Sequence, residues 1–352
     1  MKVGIVTFNQ AINFGAHLQA YALQEYISSL GEEAYQVIIR NNHQDIFMPI
    51  NNFHSVLANL RRAVFYSRFK RKLNLFRDFE KKYINYTDWI IDTQNASDYE
   101  DSFDCWVTGS DQVWHCASGM NEIFFLEFVR TKKRIAYAAS MGEPVVKKDE
   151  YERFCDALRK FNYISVREDS IKSLISQASN LNVSCVLDPV FLLGREHWQQ
   201  FIKPIKNKYI FVYATQVSEE LLNQINDLKD KTGYDVYTVH KLPGIKARVL
   251  EYKSGPIEFL SYIANAQYII TSSFHCTAFS IIFEKNFVTI SHSNTGARTN
   301  DLLTKFGIEN DVAKSGVYNY FENYGYDYSK IREAMEHYVK KSKEFLNKAL
   351  SD

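Results

Sequence analysis

Hydrophobic residues fall along this chain in short runs, separated by stretches where they return at helical spacing. Residues 2–8 (KVGIVTF) read as a buried strand. A loop from Asn9 to Asn13 follows, then a helix in which Leu18, Tyr21, Ala22, Glu25 and Tyr26 recur at helical spacing before Gly31 stops it. The next run, AYQVII, is strand-like, so the chain opens as a strand–helix–strand unit, the seed of a parallel sheet. Further strand patterns lie at 104–110 (DCWVTGS), 133–140 (KRIAYAAS), 162–168 (NYISVRE) and 183–189 (VSCVLDP), with helical patterns between the last three. Asp188-Pro189 breaks the alternation, and a connecting segment leads to a second set that begins at 209–215 (YIFVYAT). That set continues through YDVYTVH, QYIITSS and NFVTI with intervening helices, and the tail SKIREAMEHYVKKSKEFLNKAL is an amphipathic helix. The pattern predicts an α/β chain of two doubly wound, Rossmann-like domains facing a cleft. Residues 1–190 form the first domain, with a helical insertion at about 52–83; residues 191–325 form the second, and 326–352 a closing helix.

Length and composition fit two cores: 352 residues, 46% apolar and 24% charged. Lys+Arg 42 against Asp+Glu 41 gives no field that would gather nucleic acid, so no nucleic-acid partner is expected. No signal peptide is visible, and no apolar run reaches the roughly 18 residues of a membrane span. Cys105, Cys116, Cys155, Cys185 and Cys276 are scattered without a CxxC pair, which argues against disulfides and structural zinc and for a reducing, cytoplasmic setting. One local charge imbalance stands out. Within 52–82, Arg61, Arg62, Arg68, Lys70, Arg71, Lys72, Arg77, Lys81 and Lys82 meet only Asp78 and Glu80, interleaved with aromatic and aliphatic residues. This is either a core-packed helix with a solvated basic face or a peripheral contact with anionic lipid or a phosphorylated acceptor.

Ligands of such folds collect at the carboxyl ends of parallel strands. The first loop offers amides, Asn13 and Gly15 at a helix N-terminus, suited to an anion or to sugar hydroxyls, or simply an ordinary turn. After the strand at 104–110, Gly109, Ser110, Asp111, Gln112 and Trp114 combine polar groups with an indole, as carbohydrate recognition requires. Asp111 is a candidate base for an acceptor hydroxyl, or the loop is an Asx turn. Arg167 ends a buried strand and can bind a carboxylate or phosphate, or pair with Glu168 or another acid. The segment Thr271–Ser280 gathers Ser272, Ser273, His275 and Thr277 where a helix opens; His275 can donate a proton or steady developing phosphate charge. Cys276 reads as packing. Arg298, near the start of a later helix, is a candidate second phosphate ligand, with a surface arginine as the alternative.

Together, NFGAHLQAYAL, VTGSDQVW, RIAYAASMG, ISVRE, VLDPVFLL and ITSSFHCTAFSIIF, in that order, resemble the polysaccharide pyruvyl transferase family from the first strand to about residue 310. The resemblance implies a GT-B-like fold with the site between domains, the acceptor on the first and phosphoenolpyruvate (PEP) on the second. It implies transfer of the enolpyruvyl group of PEP onto two hydroxyls of a sugar in a lipid-linked or nucleotide-linked precursor of a capsule or other exopolysaccharide, with PEP as substrate and no cofactor. Arg167 and His275 take the positions linked to PEP binding, and Arg298 stands where the family commonly has a lysine. Where the family often has Gly after the histidine, this chain has Cys276. No cluster has metal-ligand spacing, so no metal is expected. The competing readings are a GT-B nucleotide-sugar glycosyltransferase and a non-catalytic glycan-binding homologue. Oligomeric state is not legible. Localisation is expected to be cytoplasmic, with the inner membrane face as a further setting if the basic stretch touches lipid.

Overall fold

The computed structural model describes all residues except 41–55, 117–118, 143–144, 180, 215–216, 291–295, 309–316 and 324. Its first sheet contains β1 (Lys2–Val6), β2 (Glu33–Ile39), β3 (Tyr86–Ile91), β4 (Cys105–Thr108), β5 (Lys133–Ala139), β6 (Tyr163–Val166) and β7 (Val183–Cys185), in the order β3-β2-β1-β4-β5-β6-β7. A second sheet contains β8 (Tyr209–Tyr213), β9 (Asp235–Thr238), β10 (Ala247–Val249), β11 (Tyr268–Thr271) and β12 (Asn286–Thr289), in the order β10-β9-β8-β11-β12. Every pairing is parallel, for example Val3 with Cys105 and Thr271 with Thr289. Central strands of such sheets are covered on both faces, which is why Cys105–Thr108 is buried at every position and reads as an unbroken apolar run.

The crossover helices explain the spacing signals. α1 (Phe14–Ser29) starts where the Asn13 side chain accepts from the Gly15 and Ala16 amides. It is buried nearly all round, because the first sheet lies on one side and the second domain on the other. α2 (Val56–Tyr83) occupies the predicted helical insertion and leads straight into β3, so it also serves as the crossover between two sheet strands. α3 (Tyr151–Arg159) and α4 (Asp169–Ser179) link β5, β6 and β7, and α5 (Gly194–Gln199) lies in the connection to the second domain. There, α6 (Glu219–Thr232) runs from the Ser218 cap to a left-handed Gly233, followed by α7 (Pro256–Asn265), α8 (Phe274–Ile282), α9 (Gly296–Lys305) and α10 (Val317–Asn323).

An aromatic seam joins the domains. Phe14 of α1 stacks on Phe259 of α7 at 4.6 Å and on Phe76 of α2 at 5.4 Å, and Phe79, Phe274 and Phe279 belong to the same buried cluster. The final helix, α11 (Tyr328–Ser351), leaves the second domain, where Ile331 is buried, and returns to the first, where Leu346, Ala349 and Leu350 pack with Val3, Ile5 and Leu23. Along the way its Ser342 hydroxyl accepts from the Leu187 amide at 2.9 Å.

Candidate active site

Asp188 is the centre of a buried polar cluster between the domains. It precedes Pro189, and one carboxylate oxygen caps the Val190 amide at 3.2 Å. The other accepts from the Ser110 hydroxyl at 3.0 Å and from Arg167 Nη1 at 2.7 Å, and lies 3.6 Å from His275 Nε2. Arg167, at the end of β6, also donates through Nε to Glu168 at 3.1 Å, and Glu168 accepts from the Ser140 hydroxyl at 2.8 Å. The guanidinium lies over the Phe274 ring, 4.1 Å from its centroid, so the first domain's cation rests on the first residue of α8. His275 follows, in a turn capped by the Ser273 side chain, and its imidazole packs against Gly15 at the start of α1. Arg298 of α9 lines a small cavity with Arg167, Asp188, Phe274 and Lys305.

Burial opposes ionisation of Asp188, yet the His275 imidazole, the Arg167 guanidinium and the Val190 amide together hold its carboxyl well below the usual range. Burial also opposes the charge on Arg167, but Glu168, Asp188 and Asp111 outweigh it and keep the guanidinium firmly cationic. Glu168 is pushed upward by burial, only partly offset by Arg167. For Arg298, burial and then the nearby Arg167 charge lower the value, against the pull of Asp111, Glu168 and Asp188. Three nitrogens of this cluster, Arg167 Nη2, His275 Nε2 and Arg298 Nε, are buried without a hydrogen-bond acceptor among the described residues. Burying such donors unpaired is costly, so the arrangement favours an anion that supplies the missing acceptors.

Arg167, His275, Arg298 and Asp111 therefore come together. Asp111 sits in the left-handed region (φ 76°) and pairs with Ala139 in an isolated bridge, and Ala138 is likewise left-handed (φ 52°). Non-glycine residues in that region store strain and cluster at functional sites. Gly15 is the contact surface for His275, and Asn13 acts as a helix cap. The carbohydrate reading of the 109–114 loop needs correction. Trp114 is fully buried and donates to the Phe124 carbonyl, so its indole offers no face to a sugar. Gly109 packs against Thr7, and Ser110 is wholly buried, holding Asp188 and the Ala138 carbonyl rather than touching a ligand. Gln112 lies against Gly142. Thr277 is also interior, bonded to the Ser273 carbonyl and the Thr289 hydroxyl, and Ser273 is engaged as the α8 cap. Ser272 is half-buried beside β8, where its amide donates to the Tyr213 carbonyl.

Asp188 and Ser140 were not among the residues selected from the sequence, whereas Glu168 is the acid named as the alternative partner of Arg167 and does pair with it. The available signal was an acid between an apolar strand and a proline, which read only as a break. Lys305 was also missed. Its ammonium reaches from α9 to the Arg167 carbonyl and Cys185 Sγ, both at 3.2 Å, with Asp169 at 3.2 Å and Asp301 beside it. Asp169, Cys185 and Asp301 converge at metal-ligand spacing, but the Lys305 ammonium already bonds to all three. Two larger clefts flank the loop after β1. One of about 770 Å³ lies over the ends of β1, β2 and β3; the other, of about 930 Å³, lies between that loop and α2.

Two parallel-sheet domains with a polar cluster between them define a GT-B-like α/β protein. The fold resembles UDP-GlcNAc 2-epimerase from Methanocaldococcus jannaschii, with TM-score 0.54 and 11% identity over 100% of this chain and 99% of that one. It also resembles UDP-GlcNAc 2-epimerase from Neisseria meningitidis, with TM-score 0.51 and 14% identity over 99% of each chain. At such identities the likeness concerns the fold alone. Among curated sequences nothing matches. The polysaccharide pyruvyl transferase family model matches residues 13–294, most of the chain, and the chain belongs to that family.

Proposed function

We propose that the protein transfers the enolpyruvyl group of PEP to two hydroxyls of a sugar in a surface-polysaccharide precursor, forming a pyruvate ketal and releasing phosphate. The observation that carries this reading is the set of three buried nitrogens, Arg167 Nη2, His275 Nε2 and Arg298 Nε, that have no hydrogen-bond acceptor among the described residues, His275 Nε2 facing Asp188 only at 3.6 Å, and that come from both domains. PEP carries a carboxylate and a phosphate, and guanidinium groups suit both. In this scheme a proton is delivered to the PEP methylene carbon, and C2 becomes oxocarbenium-like. One sugar hydroxyl adds at C2 and gives its proton to Asp111, the C2–O bond to phosphate breaks with both electrons leaving on the phosphate oxygen, and the second hydroxyl closes the ketal as its proton passes to the departing phosphate. His275 is the acid or the phosphate stabiliser, Arg167 and Arg298 hold the anion, and Asp111 accepts a hydroxyl proton. No step calls for a metal. Among the described residues no helix is long and apolar enough to cross a membrane.

The test is phosphate release from PEP across a panel of sugar acceptors, with mass spectrometry of the glycan product. His275→Ala is expected to slow release by about 10²–10⁴-fold; undiminished release removes His275 from this role. Calorimetric binding of UDP- or GDP-sugars in place of PEP would move the protein to the nucleotide-sugar glycosyltransferases. Glycan binding with no phosphate release from any acceptor would make it a binding protein.

A further inference from the structure

Glu168 is a buried acid to which the scheme above gives no task. It follows Arg167 just beyond β6 and is 2% exposed. One carboxyl oxygen, Oε1, accepts from the Ser140 hydroxyl at 2.8 Å and from Arg167 Nε at 3.1 Å. The other, Oε2, is buried with no hydrogen-bond partner among the described residues. The two-bond fork open to an arginine and a carboxylate is therefore not made. Arg167 gives Nε to Glu168 and Nη1 to Asp188, and its Nη2 stays unpaired. An ionised oxygen buried without a donor is costly, whereas a carboxyl hydroxyl there needs only an acceptor to arrive. The two acids that share Arg167 are also driven apart. Burial works against the charge on both, but His275, Arg167 and the Val190 amide hold Asp188 well below the usual range. Glu168 stays pushed upward by burial against the pull of Arg167, Ser140 and Arg298. Neighbouring acids driven in opposite directions divide acid from base work.

We propose that Glu168 is the acid that protonates the methylene carbon of PEP, with His275 left to steady the departing phosphate. The assignment rests on the pyruvyl transfer proposed above and decides between the two roles left open there for His275. In this step the π pair between C2 and C3 takes the proton from the Oε2 hydroxyl. A C3–H bond forms, the O–H pair stays on Oε2, and positive charge develops at C2 and its ester oxygen, which the new carboxylate offsets. The proton that Asp111 takes from the first sugar hydroxyl returns to Glu168 through solvent, so the cycle closes without another reactant. PEP itself favours this order of events. Its carboxylate and phosphate draw on the same Arg167 and Arg298 that partly offset burial at Glu168, so the acid keeps its proton until the methylene carbon takes it.

Glu168→Gln separates this role from a structural one, because its amide oxygen can keep the bonds to Ser140 and Arg167 while its nitrogen carries no acidic proton. In the full-length protein this variant should bind PEP within about threefold of wild type by calorimetry, yet release phosphate from PEP and acceptor about 10²–10⁴-fold more slowly. Its urea midpoint at neutral pH should equal or exceed that of wild type, since a buried acid pushed upward burdens the fold. A second variant, Ser140→Ala, removes a hydroxyl whose hydrogen bond favours the ionised carboxyl, leaving Arg167 and Arg298 as the charges that act on it. An acid must be protonated to work, so kcat falls as pH rises through its folded value, and in Ser140→Ala that fall should move to higher pH. Should Glu168→Gln fail to fold, Ser140→Ala alone decides. Phosphate release by Glu168→Gln at the wild-type rate, a loss of PEP affinity as large as the loss of rate, or an unmoved alkaline fall in Ser140→Ala would each overturn the proposal. Wild-type protein that releases no phosphate with any acceptor fells the transfer reading and this role together, whereas an active Glu168→Gln fells this role alone.

Discussion

Gly15 shows at single-residue scale how tightly the His275 imidazole is seated. A methyl group built there would land on the His275 ring, so α1 and α8 approach each other as only a missing side chain allows. Its backbone is ordinary helix, and on propensity alone alanine would be favoured by up to about 1 kcal/mol. The collision reverses that preference. Gly15→Ala should cost about 1–3 kcal/mol in urea unfolding, because an overpacked interface must shift. PEP-dependent phosphate release should fall further than stability alone explains, since His275 is the group displaced. Unchanged stability and rate would show that the imidazole has room to move.

At the scale of elements, α2 carries the charge that the sequence singled out. Arg68, Lys70, Arg71, Arg77, Lys81 and Lys82 are exposed, whereas Phe76 and Phe79 are committed to the seam between domains. Any membrane contact by these cations would be electrostatic and salt-sensitive, with the exposed Tyr66 beside them as the apolar side chain available to it. If that contact exists, Arg68, Lys70, Arg71 and Arg77 changed together to Gln should release the protein from phosphatidylglycerol vesicles at low salt. Wild-type protein that ignores such vesicles would leave the helix with its packing role alone. Arg61 and Arg62 belong to the same helix, but their side chains lie outside the described residues.

The same helix shows what the sequence made legible. The buried central strands announced themselves as continuous apolar runs, and α1, α6 and α11 through spacing and caps. Strand β3 did not, because at a sheet edge Thr87 and Asp88 interrupt the run, and without it α2 looked like an insertion. β10, the other sheet's edge, was missed for the same reason. At the site, Arg167, His275, Arg298 and Asp111 were recognisable because each sits where a strand ends or a helix begins. Trp114 had the same address but points into the core, and direction is not written in a residue's type. Asp188 and Lys305 act through partners far away in sequence, Ser110 for Asp188 (|i−j| = 78) and Cys185 for Lys305 (|i−j| = 120), and only tertiary contact reveals them.

For the whole molecule, the Asp188 cluster links the stability of both domains to acid. Its carboxyl is depressed in the folded chain, so its contribution is complete above the unfolded value of about 3.9 and is lost as pH falls toward the folded value. Glu168 has the opposite sign: raised by burial, it burdens the fold at neutral pH and is relieved as pH drops through its folded value. Asp188→Asn should lower the urea midpoint at pH 6–7 and flatten the further loss between about pH 4 and pH 2 relative to wild type. Parallel pH profiles for the two proteins would place the acid sensitivity elsewhere. Arg167 is 4% and His275 8% exposed, and the cavity beside Arg167 is about 10 Å³, near the size of one water. On the function proposed above, PEP reaches both groups only when the domains part.

How they part is constrained by α11. The polypeptide passes between domains once on the way out, through the segment holding Asp188 and α5, and a second time on the way home, when the last helix lays Leu346 and Leu350 against β1. Two tethers define a line, as a door hangs on two pins. Opening should swing about that line, bringing the mouth of the crevice apart while the pinned edge stays shut, so that whatever the crevice admits enters and leaves on one side.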